Sequence, residues 1–263
     1  MPVPSLIQPA SHPPHRIPIG HVAALFRYPV KSMRGESLET VRLGWQGLEG
    51  DRRFAFLRMH DRSAFPWLTA GKLPELLLFT PRRSDPAALN DAPTHVSTPD
   101  GRTLPIFSEE LAAEIGRRHG SPVEMTQFKN GIFDDATVSV IATNTVQEIE
   151  RLAGRPADVR RFRPNIVIQL QQPAAFQEDA WVGGVLSFGE GDDAPEIAVT
   201  QRDLRCAMIN LDPDTAAAAP EVMRATARAN QNHAGIYATV TRTGFLRVGH
   251  PLFFRPSPAD RTG

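Results

Sequence analysis

What most constrains this chain is its punctuation. Residues 21–28, 38–43, 53–59 and 76–80 are short runs rich in β-forming side chains, cut apart by Gly, Pro and Ser. Such spacing predicts an antiparallel barrel or sandwich. Further strands are expected over 163–170, 185–188, 197–202, 236–241 and 245–254. Helices are few. Residues 109–119 carry Ser108 as N-cap and Gly120 after the last turn; residues 145–153 have Asn144 as N-cap, Gln147 in the capping-box position and Gly154 beyond. A third helix starts at Pro220, a residue suited to the first helical position, and runs to about 229. Residues 82–100 and 189–195, crowded with Pro, Asp and Gly, read as surface loops. The fold class is mostly β (α+β), in a chain of 263 residues long enough for two medium domains.

Composition narrows the partners. There are 29 basic and 29 acidic residues, so no global charge favours nucleic acid or an anionic membrane. No long uncharged apolar run could span a bilayer. The first twenty residues are rich in Pro and His and lack a signal-peptide core, so a flexible tail and a soluble, cytoplasmic protein are expected. His12 and His15 in that tail read as bystanders rather than metal ligands. The chain has one cysteine, Cys206, which excludes an internal disulfide, a Cys-x-x-Cys zinc knuckle and a cysteine-ligated iron–sulfur cluster within these residues. A lone cysteine is usually a small buried hydrophobe. Cys206 instead follows Arg205 and precedes the turn-forming Asp212-Pro213-Asp214-Thr215, a setting suited to a reactive or metal-binding sulfur.

Three other blocks bear on chemistry. Tyr28-Pro29-Val30-Lys31-Ser32-Met33-Arg34-Gly35 gathers a lysine, a hydroxyl and an arginine in one loop, a composition able to cradle phosphate or simply to be solvated. In Gly50-Asp51-Arg52-Arg53-Phe54 the two arginines point to opposite faces if extended, and the inward one pairs with Asp51, another carboxylate or a bound phosphate. Arg161-Phe162-Arg163-Pro164-Asn165 precedes an apolar strand, with Arg163 and Asn165 sharing a face if extended and Asn165 alternatively a turn residue. No Gly-x-Gly-x-x-Gly or phosphate-loop lysine motif is present.

Taken in order, Tyr-Pro-Val-Lys-Ser, Gly-x-x-x-Asp-Arg, Arg-Phe-Arg-Pro-Asn-Ile-Val-Ile, Phe-x-Glu-Asp-x-Trp, Arg-Cys with Asp-Pro-Asp-Thr, and Gly-Ile-Tyr-Ala with Val-Gly-His-Pro-Leu resemble the MOSC family. The resemblance runs from about residue 22 to 254. It is to the branch with an N-terminal MOSC-associated β-barrel, which includes the mitochondrial amidoxime-reducing component. It implies a tail over 1–19, an N-terminal β-barrel-like domain over 20–126, a MOSC β-barrel with flanking helices over 127–256, and a tail over 257–263.

The resemblance also implies a molybdenum cofactor (molybdenum–molybdopterin). Cys206 would be the metal ligand, and Lys31, Ser32, Arg52 and Arg163 would hold the cofactor anion. Arg205 and Asn165 would line the same site, and Asp135 in Asp-Asp-Ala-Thr would be the acid near the metal with Thr137 beside it. A soft thiolate suits molybdenum and arginine forks suit a phosphate monoester. The implied activity is reduction of small N-hydroxylated compounds such as amidoximes, hydroxylamines and hydroxylated bases. Electrons would come from a separate protein of ferredoxin, flavodoxin or cytochrome b5 type with its reductase, docking where Arg205 and the Arg34 loop supply positive charge. Two other classes stay open: a sulfur or cofactor carrier using a Cys206 persulfide, and a degenerate binding module without redox function. The chain leaves the family pattern at Gly71, where an arginine is usual, at Leu204, where a serine can stand, and at Ala216, where a glycine is usual.

Overall fold

A computed structural model describes residues 16–85, 92–133, 135–156 and 158–257. His12 and His15 lie outside the described residues. In the N-terminal part, the elements are β1 (Ile17–Arg27), β2 (Glu36–Leu38), β3 (Thr40–Gly44), β4 (Gly47–Leu48), β5 (Phe54–Arg58), β6 (Thr80–Arg82), β7 (His95–Ser97), β8 (Thr103–Pro105), α1 (Glu109–His119) and β9 (Val123–Gln127). Then follow β10 (Val138–Ala142), α2 (Thr143–Ala153), β11 (Ile166–Leu170), β12 (Val185–Ser187), β13 (Glu196–Leu204), α3 (Pro220–Asn230), β14 (His233–Arg242), β15 (Gly244–Arg247) and β16 (Pro251–Arg255).

Seven strands close into a barrel in the order β11-β10-β14-β13-β12-β16-β1, with β1 pairing back onto β11 and β2 appended to β1. Closure leaves the ring without free edges. Its neighbours are antiparallel except β10 and β11, which α2 joins as a parallel crossover. The barrel interior is filled by Val22, Leu25, Val138, Val140, Ile166, Ile168, Leu186, Ile197, Ile236 and Leu252. α2 and α3 cover the outside, where Val146, Ile149, Val222 and Ala225 pack on Ile141 and Val167. Both faces of β10 are therefore buried, and its five residues show no polar alternation.

A second core lies wholly between Val30 and Met125 and includes Phe54, Phe56, Leu68, Phe79, Leu111 and Ile115. Here the structure redraws the expected boundary. β1 pairs with β11 and β16, β3 pairs with β15, and Leu38, Val41, Leu43 and Leu48 pack in the barrel core. The second core ends at Met125, and most of residues 17–48 belong to the barrel. Residues 17–19, expected in the tail, are strand.

α1 has the caps that the sequence predicts: the Ser108 hydroxyl accepts from the Leu111 amide, and Gly120 is left-handed at φ 80°. α2 differs. It starts at Thr143, Asn144 lies inside it, and the buried Glu178 carboxylate accepts from the Ala142 amide (3.2 Å) and the Thr145 hydroxyl (2.9 Å), acting as the cap from another segment. Residues 76–80 are not a strand; Pro74–Leu78 is a 3-10 turn opened by Pro74, with Leu76 and Leu77 buried. The expected strand 245–254 is two, β15 and β16, divided by a turn at Gly249 (φ 86°). Within the expected loop 82–100, β7 forms a short strand. Among the described residues no helix is long and apolar enough to cross a membrane.

Candidate functional site

A cavity of ≈ 470 Å³ opens between the barrel and the second core. Of the nine residues that the sequence nominates, seven line it: Lys31, Ser32, Arg52, Asp135, Arg163, Arg205 and Cys206. Thr137 and Asn165 do not.

The loop after β1 is built around Tyr28. Its amide donates to Asp51 Oδ1 (2.7 Å), and its buried ring carries the Arg163 guanidinium at 4.1 Å and that of Arg52 at 5.1 Å. A Cβ at Gly35 would lie 2.4 Å from the Tyr28 ring, so only glycine lets this ring lie against the chain. Burial pushes the Tyr28 hydroxyl up to about 12, although the two guanidinium charges pull it down. Lys31 and Ser32 follow, held by the Lys31 amide on the Phe54 carbonyl (2.8 Å) and by a left-handed turn at Ser32 (φ 65°).

Asp51 is the keystone beneath the wall. Almost wholly buried, it accepts from the Tyr28 amide, from Asn165 Nδ2 (3.0 Å) and from Arg52 Nη1. Arg52, in left-handed conformation before β5, also donates to the Arg163 carbonyl (3.1 Å). The inward arginine thus pairs with Asp51 while lining the cavity, and Arg53 turns to the Phe128 carbonyl (2.7 Å). Arg163 is left-handed too (φ 49°) and donates to the Met33 carbonyl (2.7 Å). That turn separates it from Asn165, so the two do not share a strand face. Asn165 is buried beside Asp51 and Ser139, and its Oδ1 accepts from the Ser139 amide (3.1 Å). It supports the wall from below instead of lining it. Thr137 packs against the β3–β4 turn, where its carbonyl would lie 2.4 Å from a Cβ at Gly47.

Cys206 is exposed at the start of a 3-10 turn, Ala207–Asn210. Arg205 beside it is committed: Nε donates to the Ala234 carbonyl (2.7 Å), Nη1 to that of Phe162 (2.7 Å), and Nη2 pairs with Asp203 (2.8 Å). Buried in this way, it clamps β13 to β14 and the Phe162 segment rather than offering charge to an anion or a docking protein. A Cβ at Gly235 would lie 2.5 Å from the Val140 carbonyl and 3.2 Å from Arg205 Nη2, so the Gly-Ile-Tyr-Ala glycine makes room for the clamp.

Asp-Pro-Asp-Thr is a self-bonded loop. Asp212 Oδ1 accepts from the Asp214 and Thr215 amides and the Thr215 hydroxyl, and its Oδ2 takes Arg161 (2.7 Å). Burial opposes ionisation of Asp212, yet these bonds and the Arg161 charge leave it below the usual carboxylate range. Asp214 bridges Arg160 and Arg34 (2.7 Å), whose hydrogen bonds hold it down to about 2. The Arg34 loop is therefore latched to this turn. Ala216 occupies a left-handed position (φ 58°), which explains why glycine suits it.

Lys31, Arg52, Arg161, Arg163 and Arg205 line the cavity against Asp135 and Asp203. Among the described residues no three His, Cys, Asp or Glu side chains gather to hold a metal. A metal here would take one protein ligand, the exposed sulfur, and its other ligands from an anionic organic group on the basic wall. That donor set fits a thiolate-ligated, phosphate-bearing molybdenum cofactor.

The sequence pattern of the MOSC N-terminal beta barrel domain matches residues 19–138, and that of the MOSC domain matches residues 102–252. The chain belongs to the MOSC family. The MOSC domain is associated with molybdenum-cofactor proteins. No curated protein matches this MOSC chain. Among solved structures it is similar to the YuaD protein from Bacillus subtilis, with 12% identity, 93% of this chain and 99% of that one covered, and a TM-score of 0.50. It is also similar to YiiM from Geobacillus stearothermophilus, with 18% identity, coverage of 46% and 54%, and a TM-score of 0.36. The first likeness shows a shared fold.

Several cavity residues escaped the sequence reading: Phe65, Thr69, Ser139, Arg161, Asp203 and Tyr237. Arg161 and Asp203 stood close to nominated residues, and an acid two positions before Arg205 was the one available signal. Tyr237 stood within the Gly-Ile-Tyr-Ala block without being nominated, and Phe65 gave no signal.

Proposed function

We propose that this MOSC protein is a molybdenum-cofactor-dependent oxidoreductase that reduces N-hydroxylated compounds to the parent amine or amidine. One observation carries the reading. The exposed Cys206 shares a single cavity with Lys31, Ser32, Arg52 and Arg163, which reach it from three other parts of the chain. Cys206 would ligate the metal, and the lysine, serine and two arginines would hold the cofactor's phosphate. The cofactor, when bound, supplies two-electron oxygen-atom chemistry. Asp135, exposed on the same wall, is the carboxylate that would pass protons between solvent and substrate in this reading. The Asp203–Arg205 pair fixes the backbone that presents Cys206. Two electrons per turnover come from a separate carrier protein of the ferredoxin, flavodoxin or cytochrome b5 type.

The exposed sulfur also suits a second reading, a carrier that holds a persulfide on Cys206. Metal and pterin analysis of the purified protein separates the two. About one molybdenum per chain with a fluorescent oxidised pterin supports the reductase. Cyanide-labile sulfur without metal supports the carrier, and neither signal leaves a binding module. NADH alone should drive almost no turnover, and adding a carrier with its reductase should restore it in a salt-sensitive manner.

A further inference from the structure

Gly71 and Leu204, from two distant parts of the chain, both line the cavity that carries Cys206. Gly71 is not in the left-handed region, and a Cβ there would meet only Thr69 Oγ1, at 3.6 Å. The backbone does not require glycine; what its absent side chain provides is volume. Leu204 is 60% exposed and Phe65 42%, both beside a charged wall. The Phe65 ring is held at this edge by Lys31, whose Nζ lies 5.3 Å from its centroid. Met208, two residues after Cys206, packs against Ala70, Leu77 and Leu211, which brings the Gly71 segment beside the cysteine turn. Large apolar side chains left in water around a concave site mark a surface that a ligand covers.

We propose that Phe65, Leu204 and Met208, with the space left by Gly71, form the subsite for the body of the substrate. The inference rests on the reductase reading and narrows it. The preferred substrates are uncharged N-hydroxylated compounds with a flat apolar group of about phenyl size, seated on this edge with the N–O end towards Cys206. Lys31, which holds the Phe65 ring, puts a positive charge at this edge and repels cationic bodies. Methyl-sized bodies leave the edge wet.

The test compares kcat/KM for benzamidoxime and acetamidoxime in the loaded enzyme, reduced by dithionite through methyl viologen. Wild type should favour the aryl compound. Gly71→Arg, which fills the space from a position where a Cβ is unobstructed, and Leu204→Ser, at an exposed site, should each lower the aryl-to-methyl ratio about tenfold. An unchanged ratio in both variants overturns the proposal. If wild type reduces neither compound the reductase reading fails, and the subsite is then judged by binding alone. Saturation-transfer NMR with unreactive benzamide and acetamide on the same protein gives that answer. A benzamide signal lost in Gly71→Arg upholds the apolar subsite, whereas equal signals from both amides, or from both proteins, overturn it.

Discussion

Replacing Asp51 by alanine should damage fold and cofactor retention together. The buried carboxylate takes the Tyr28 amide, Asn165 Nδ2 and Arg52 Nη1. Removing it leaves the amide without an acceptor, at about 1–3 kcal/mol. It also breaks an ion pair whose arginine is 15% exposed, which places the loss near the lower end of about 3–5 kcal/mol. The two are not additive, because they share one carboxylate, and about 4 kcal/mol is the working figure. For a chain of this size that lowers Tm by roughly 8–16 °C. Asp51→Asn, which keeps an acceptor for the Tyr28 amide, should lose about half as much. Differential scanning calorimetry reads the stability, and pterin fluorescence per chain reads retention, which should fall because Arg52 and Arg163 both stack on the Tyr28 ring. An Asp51→Ala protein melting within about 2 °C of wild type would refute the keystone argument.

Cys206→Ser should keep the wild-type Tm, since the side chain is exposed, and should lose molybdenum because a hydroxyl is a harder and far less acidic ligand; metal analysis with full metal content would reject the ligand assignment. Lys31→Ala and Arg163→Ala should both shed pterin, the arginine variant more, because a bidentate fork goes with it, and equal pterin in all three proteins would return these residues to structural duty. Tyr28→Phe should match or exceed wild-type stability at neutral pH, since the buried hydroxyl has no hydrogen-bond partner among the described residues; a Tm loss of several degrees would show one. The same hydroxyl, raised by burial from 10 to about 12, is neutral in both states below pH 10, whereas between pH 10 and 12 the unfolded chain ionises and the native one resists, so the wild type should weaken over that interval more than Tyr28→Phe in pH-dependent urea melts. Asp214, lowered to about 2, works the other way: its latch stabilises above about pH 4 and fades towards pH 2, by under about 1 kcal/mol because the carboxylate is half exposed, and Asp214→Asn should flatten that acid limb.

Local signals were legible in the sequence and distant ones were not. Ser108 and Gly120 bound α1 because a cap acts on residues within one turn. α2 misled because the Ala142 amide before it and the Thr145 hydroxyl in its first turn are bonded by Glu178, more than thirty positions away. β10 carried no period because α2 and α3 cover the face that would otherwise meet water. The first strand looked like part of an N-terminal domain, yet its partners Phe254 and Leu170 lie far down the chain and nothing in residues 17–27 names them. At the site, residue types were readable and directions were not. Left-handed turns at Ser32, Arg52 and Arg163 decide where those side chains go, and non-glycine residues give no warning of a positive φ. Asn165 and Arg205, which the family resemblance implies for the cavity lining, are spent on Asp51, Ser139 and the backbone of neighbouring segments.

The ring of seven strands closes only when Ile17 meets Phe254. During synthesis the core between Val30 and Met125 can assemble while the barrel waits, because every contact in that core is already outside the ribosome. The cavity cannot wait in a half-made form, since its lining spans Lys31 to Tyr237 and draws on both bodies. A chain lacking β16 would leave β1 and β12 unpaired on that side and the barrel open, so the wall that carries Cys206 sets firmly only once the last strand is in place.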